Sequence, residues 1–167
     1  MKATKRIILA IAIIFASIVA NAQNSADSLR IHFTKIGTSI IPPKHFEYDS
    51  LTNRLVHPGT MSQMQVARVT NRPYKKIAAA ITKDYLASQG FELIDKQECK
   101  MNSGENAVIF KSRFLSHDEN GNEMHFIRLM LFAGSTNTIW ITADFPECIS
   151  KQIEEAIKES MKTFENL

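Results

Sequence analysis

The sequence predicts an α/β (α+β) domain in which helices pack on an antiparallel sheet. Three observations predict it: alternating apolar and polar runs from Phe91 to Phe145 broken by short turn sequences, an apolar stripe at three- and four-residue spacing from Tyr74 to Tyr85, and a second such stripe from Ile149 to Phe164. A period of two marks half-buried strands, whereas a period of about 3.6 marks amphipathic helices.

The chain opens MKATKRIILAIAIIFASIVANAQ, with Lys2, Lys5 and Arg6 ahead of an apolar run from Ile7 to Ala20 and with Ala20 and Ala22 bracketing Asn21. A charged start, a short apolar centre and an A-x-A site are the three parts of a secretory signal, so residues 1–22 are expected to be cleaved. The apolar run is short for a stable membrane span, and no span is expected after cleavage. Residues 23–28 are small and polar and read as a flexible leader, leaving residues 29–167 as a single α/β domain. Removing residues 1–22 takes three of the 20 basic residues and none of the 17 acidic ones, so 145 residues remain with a net charge of zero. A neutral domain lacks the long-range positive field that draws phosphate, which argues against a nucleic-acid partner.

From Leu29, Ile31, Phe33 and Ile36 alternate with Arg30, His32 and Lys35, and Ile40 and Ile41 follow Gly37. Strands are expected here, ending at Pro42 and Pro43, which cannot donate to a ladder. Lys44 to Thr60 reads as a long irregular segment with a short strand at Arg54–His57, and Ser62–Thr70 as the next strand. Asn71-Arg72-Pro73 starts one helix carrying Tyr74, Ile77, Ala78, Ile81 and Tyr85 on its apolar face, and Gly90 stops it. Strands follow at Phe91–Met101, Ala107–Ser116, Glu123–Ala133 and Thr138–Phe145, and the closing helix runs from about Cys148 to Phe164.

Asn120-Gly121 predicts a two-residue hairpin loop, because both residues accept positive φ. That register sets Phe114 opposite Ile127, Ser112 opposite Leu129, Phe110 opposite Leu131 and Val108 opposite Ala133 on one nearly apolar face. Lys111, Arg113, Arg128 and Trp140 then share the other, mixed face. For the third strand, burial favours an odd loop, which adds Ile139, Ile141 and Ala143 to the apolar face and sets Asp144 beside Arg128.

This order of strands, helix, antiparallel strands and closing helix, with "SIIPPKHF", "YLASQGFELI", "ENAVIFKSRF" and "TIWITADFPEC", resembles the PsbP-like superfamily from about Ile36 to Phe164. The resemblance implies an α/β/α sandwich, with helices on both faces of an antiparallel sheet. It also implies non-enzymatic work: cofactor-ion retention, complex assembly or partner docking. None of these roles has a motif that aligns with this chain, so no functional residue is carried over.

No nucleophile elbow, H-E-x-x-H, Walker loop or dinucleotide fingerprint is present. Asp118-x-Asn120-x-Asn122 starts like a calcium loop but has Glu123 where glycine is required, so a hairpin turn is the better reading. His32, His45 and His57 show no zinc spacing. Glu92, Asp95, Glu98, Glu154 and Glu155 read as solvated faces. Phe46 and Tyr48 suit the edge of a core, although His45 and Tyr48 could instead wall an exposed groove. The mixed face of Lys111, Arg113, Arg128 and Trp140 is a candidate docking surface for an acidic partner or small anion, set against the plainer reading that long basic side chains lay their stems on apolar neighbours. Cys99 and Cys148 are the only cysteines, and a disulfide between them depends on strand order. The expectation is therefore an exported, periplasmic or extracellular, non-catalytic accessory module without a cofactor. Its partner would be an envelope or extracellular protein or a small anion. A small hydrolase-like enzyme and a structural component of an envelope complex are the alternatives.

Overall fold

The computed structural model describes residues 29–117 and 120–166, and the fold below is that of the unit Ile31–Leu167. The expected signal peptide and leader, residues 1–28, lie outside the described residues. Three strands, β1 (Ile31–Phe33), β2 (Thr38–Ile40) and β10 (Glu165–Asn166), form a small sheet in the order β1-β2-β10. The remaining strands are β3 (Glu47–Asp49), β4 (Arg54–His57), β5 (Ser62–Val69), β6 (Glu92–Lys100), β7 (Asn106–His117), β8 (Glu123–Ala133) and β9 (Thr138–Pro146). They form one antiparallel sheet in the order β3-β4-β5-β9-β8-β7-β6. Helices α1 (Tyr74–Ala80) and α2 (Lys83–Ser88) follow β5, and a 3₁₀ turn at Glu147–Ile149 leads from β9 into α3 (Ser150–Lys162).

Both faces of the large sheet carry an apolar cluster, and each cluster is covered by different elements. Ile109, Leu129, Leu131, Ile141 and Met64 pack on one face with Ile157, Met161 and Phe164 and with Phe33 and Ile40 of the small sheet. Burying Ile157 and Met161 contributes roughly 1.5–3 kcal/mol each, which fixes α3 on this face. The end of β2 is tied to α3, because Ser160 Oγ donates to the Ile41 carbonyl at 2.6 Å and the Ile41 amide donates to Thr163 Oγ1 at 2.9 Å. Val108, Phe110, Met130 and Phe132 form the opposite face under Ala78 and Leu86 of α1 and α2. The architecture is an α+β sandwich with helices on both sides of an antiparallel sheet.

The β7–β8 register differs by one residue from the expected one. Phe114 pairs with Phe126, Ser112 with Arg128, Phe110 with Met130 and Val108 with Phe132. Strand β7 ends at His117 and β8 begins at Glu123, too far apart for a two-residue connection, and Gly121 has φ 82°. A one-residue slip exchanges faces. The expected register gathered the apolar residues on one side, but two covered faces both reward apolar residues, so that criterion does not hold here. The β8–β9 register is the expected one, with Leu131 opposite Ile141 and Arg128 opposite Asp144.

The expected single helix is two helices. Ile81 leaves helical geometry at φ −84° and ψ 86°, and Thr82 caps α2 by accepting the Tyr85 amide on Oγ1 at 3.1 Å. Threonine satisfies an orphan helix donor from an extended backbone, so it starts a helix more readily than it continues one. The break rotates Leu86 into the core and leaves Tyr85 52% exposed. Gly90, at φ 79°, stops α2 as expected. Strands β3 and β10 are additional to the expected elements; they are short and carry exposed polar residues, so periodicity does not mark them.

Candidate functional site

The helices leave part of the second face uncovered. No residue of β3, β4 or β5 joins the core beneath α1 and α2, and outward-facing Gln65 is exposed while Val56, Gln63 and Ala67 are half-buried. A shallow cleft of about 180 Å³ lies there, lined by Arg54, Gln63, Gln65, Arg128, Trp140, Thr142 and Asp144. Register builds it: Arg54, Gln65 and Thr142 form one cross-strand row, Gln63, Asp144 and Arg128 the next, and Ala67 and Trp140 a third. Side chains at directly opposed positions on one face lie close enough to touch, which brings residues from four strands to one spot.

Two pairs of polar groups in this cleft, Arg128 with Asp144 and Arg54 with Gln63, hold each other in place. Arg128 donates from Nε and Nη2 to the two carboxylate oxygens of Asp144 at 2.6 and 2.7 Å. Its guanidinium carbon lies 4.8 Å from the Phe91 ring centre and 5.2 Å from that of Phe114. A planar cation with an anion in its plane and rings over its faces is fixed in orientation. Arg54 Nη1 donates to Gln63 Oε1 at 2.8 Å. Trp140, the only tryptophan of the chain, stacks on Phe132 with ring centres 5.6 Å apart and an interplanar angle of 25°, and remains 37% exposed. The cleft thus offers a rigid indole platform beside amide and guanidinium groups, an arrangement suited to stacking and hydrogen bonding.

The candidate residues from the sequence separate into four places. Arg128 and Trp140 share the open face. Lys111 and Arg113 lie on the other face, as the slipped register requires. Lys111 Nζ donates to Glu154 Oε2 at 2.8 Å, and Glu154 also accepts from Lys158 Nζ and Ser150 Oγ. Burial alone would raise the Glu154 pKa, but these three donors together pull it down to about 2. Glu154 is therefore the anchor of α3 on the sheet; its expected place on a solvated face does not hold. Arg113 donates to Glu92 Oε2 at 2.6 Å and approaches Glu147 at 3.6 Å, and Glu92 followed by Glu147 raises its pKa further.

His45, at φ 68°, sits in the turn before β3 with its ring 6.1 Å from that of His57. Phe46 is buried and edge-on to His57. Tyr48 packs edge-on to Phe33 at 5.5 Å, and its hydroxyl donates to Asn53 Oδ1 at 2.8 Å. Pro43 turns the chain by accepting the Phe46 amide at 3.1 Å. Phe46 thus fills the core edge, while Tyr48 keeps one side in solvent. Arg54, Gln63, Gln65 and Thr142 were not singled out by sequence; their signal was the polar alternation of Gln63 and Gln65 along β5.

Cys99 and Cys148 are both free, the first half-buried and the second exposed. Cys99 lies on edge strand β6, across three strand spacings, or about 14 Å, from β9. Pairing runs from Cys99 through Ala107 and Ala133 to Ile139, and Cys148 lies nine residues further along the chain, past the opposite end of the sheet. Disulfide geometry needs Cα atoms within about 7 Å, so with this strand order the two cysteines are not bonded. Among the described residues, no three His, Cys, Asp or Glu side chains are placed to hold a metal ion, and no helix is long and apolar enough to cross a membrane.

No protein-family model matches the chain, and no curated protein matches it in sequence. Solved structures do resemble it. Cyanobacterial PsbP from Synechocystis is similar at a TM-score of 0.54 with 14% identity, over 83% of this chain and 91% of that one. LpqN of Mycobacterium tuberculosis, a protein involved in cell envelope biogenesis, is similar at a TM-score of 0.54 with 12% identity, over 81% of this chain and 87% of that one. At such identities the likeness is one of backbone architecture, and by that measure the chain has the PsbP-like fold.

Proposed function

We propose that this chain is an exported, non-catalytic accessory module of the cell envelope, which docks a protein partner on the uncovered sheet face around Trp140. The observation that carries the reading is the preorganised cleft of Arg54, Gln63, Gln65, Arg128, Trp140, Thr142 and Asp144 on a face without a helix over it. Tryptophan and arginine are the residues most often found at the energetic centre of protein interfaces. Side chains already held by one another lose little freedom on binding, which favours affinity. Two guanidiniums against one carboxylate suit a partner segment bearing an acidic side chain. The signal-like residues 1–22 support export to a periplasmic or extracellular site, and the likeness to an envelope-biogenesis protein supports the setting.

The test places a photo-crosslinking residue at exposed Gln65 and captures partners in the native envelope. One stoichiometric partner is expected, lost on Trp140→Ala but retained on Arg113→Glu, because Arg113 lies on the other face. Capture unaffected by Trp140→Ala, in protein whose melting shows it folded, rejects the docking face. Absence of any partner together with turnover on a substrate panel favours the hydrolase alternative.

A further inference from the structure

A second cleft, of about 510 Å³, opens at one end of the large sheet, lined among others by His57, Met61, Met124 and Cys148. These residues come from distant parts of the chain, at the ends of β4, β5, β8 and β9, and line the same cleft. Phe126 pairs with Pro146 at the end of the β8–β9 ladder; Met124 precedes the one by two residues, and Cys148 lies in the 3₁₀ turn that follows the other. Gln63 pairs with Asp144 at the start of β5, and Met61 immediately precedes that strand, at the same end.

The usual work of methionine is to fill a core, and here it does not. Neither Met61 nor Met124 belongs to either buried cluster; Met61 is 38% exposed, Met124 half-buried and Cys148 exposed. Two thioethers and a thiol facing one open cleft are a soft donor set. We propose that this cleft binds copper(I) through Met61 Sδ, Met124 Sδ and Cys148 Sγ.

Copper(I) accepts low coordination numbers and favours thioether and thiolate sulfur, and among the described residues no carboxylate lines the cleft to favour a hard cation. Zinc sites are built from four ligands, chiefly thiolate and imidazole, whereas this cleft supplies one thiol and two neutral thioethers. On binding, the Cys148 S–H bond breaks, the sulfur keeps the electron pair to bond copper, and the proton passes to solvent. The thiolate and the monovalent ion then cancel in charge. His57 is not a donor in this arrangement, because its Nδ1 already accepts the Gly59 amide at 3.1 Å.

The experiment is anaerobic competition of the reduced mature chain with bicinchoninate for copper(I). One equivalent should be withheld from the probe. Cys148→Ser should weaken binding about 100-fold, Met61→Leu and Met124→Leu about tenfold each, and Cys99→Ser not at all. Methionine to leucine conserves volume, so melting should barely move and the folded variants remain informative. X-ray absorption should show sulfur scatterers alone. Failure of the parent chain to withhold copper(I) overturns the proposal. So does full retention by Cys148→Ser, by the Met61→Leu/Met124→Leu double variant, or tighter binding of zinc(II) than of copper(I).

Discussion

Glu154→Gln removes one charge at the contact between α3 and the sheet while preserving shape. Glu154 has an ordinary carboxyl pKa of 4.5 that the fold lowers to about 2. At about 1.36 kcal/mol per unit, the folded state favours the carboxylate over its neutral form by roughly 3 kcal/mol. The side chain is 15% exposed, and allowing for solvent screening brings the expected loss to about 2 kcal/mol at pH 7. Because the folded pKa lies below the unfolded one, this stabilisation is full above about pH 5 and fades as the pH falls towards 2. Glutamine mimics the protonated state at every pH. Urea unfolding of both proteins from pH 7 to pH 2 should therefore show a gap of about 2 kcal/mol that closes on acidification. A gap of under about 0.5 kcal/mol at pH 7, or one that does not change with pH, would refute the assignment of Glu154 as the hub of Lys111, Lys158 and Ser150.

Gly134→Ala should cost about 2–4 kcal/mol, because Gly134 has φ 106° and an added Cβ would run into the Asn137 carbonyl oxygen, which is backbone and cannot yield. Gly90→Ala, at φ 79° with open space around it, should cost only about 1 kcal/mol, and equal losses in thermal unfolding would contradict the loop geometry. Thiol labelling of the native protein should show fast reaction at exposed Cys148 and slow reaction at Cys99, whose thiol burial pushes up in pKa. Labelling after denaturation without reductant should find two thiols per chain, and none in a monomer would mean that the strand order is wrong.

The legible part of the fold was local. Arg54–His57 and Glu123–Ala133 stand as strands within the bounds read from alternation, and Gly90 ends its helix, because these signals are written within a few neighbouring residues. The β8–β9 register was legible as well, since the apolar run Ile139, Ile141, Ala143 has only one burying alignment with Leu129 and Leu131. The β7–β8 register was not. Val108, Phe110 and Phe114 are apolar on one side of β7 and Ala107 and Ile109 on the other, so either alignment buries a face, and choosing between them requires knowing what covers each. The helix break was written locally, in Thr82, but the apolar spacing of Ile81 and Tyr85 ran across it.

The sequence by itself determined the class of the fold, the order of its main strands and helices, the pairing of Arg128 with Asp144, and the chemical types available to any site. These follow from periodicity, turn residues and charge, which act over short stretches of chain. Tertiary structure decided which faces those residues occupy. It divided Lys111 and Arg113 from Arg128 and Trp140, turned Glu154 from a solvated residue into an anchor, parted Cys99 from Cys148, and gathered Met61, Met124 and Cys148 at one sheet end. The physical reason is that a side chain in a strand has two faces to choose from. That choice is made by whichever helix or sheet packs against each face, and those elements lie far away in the sequence.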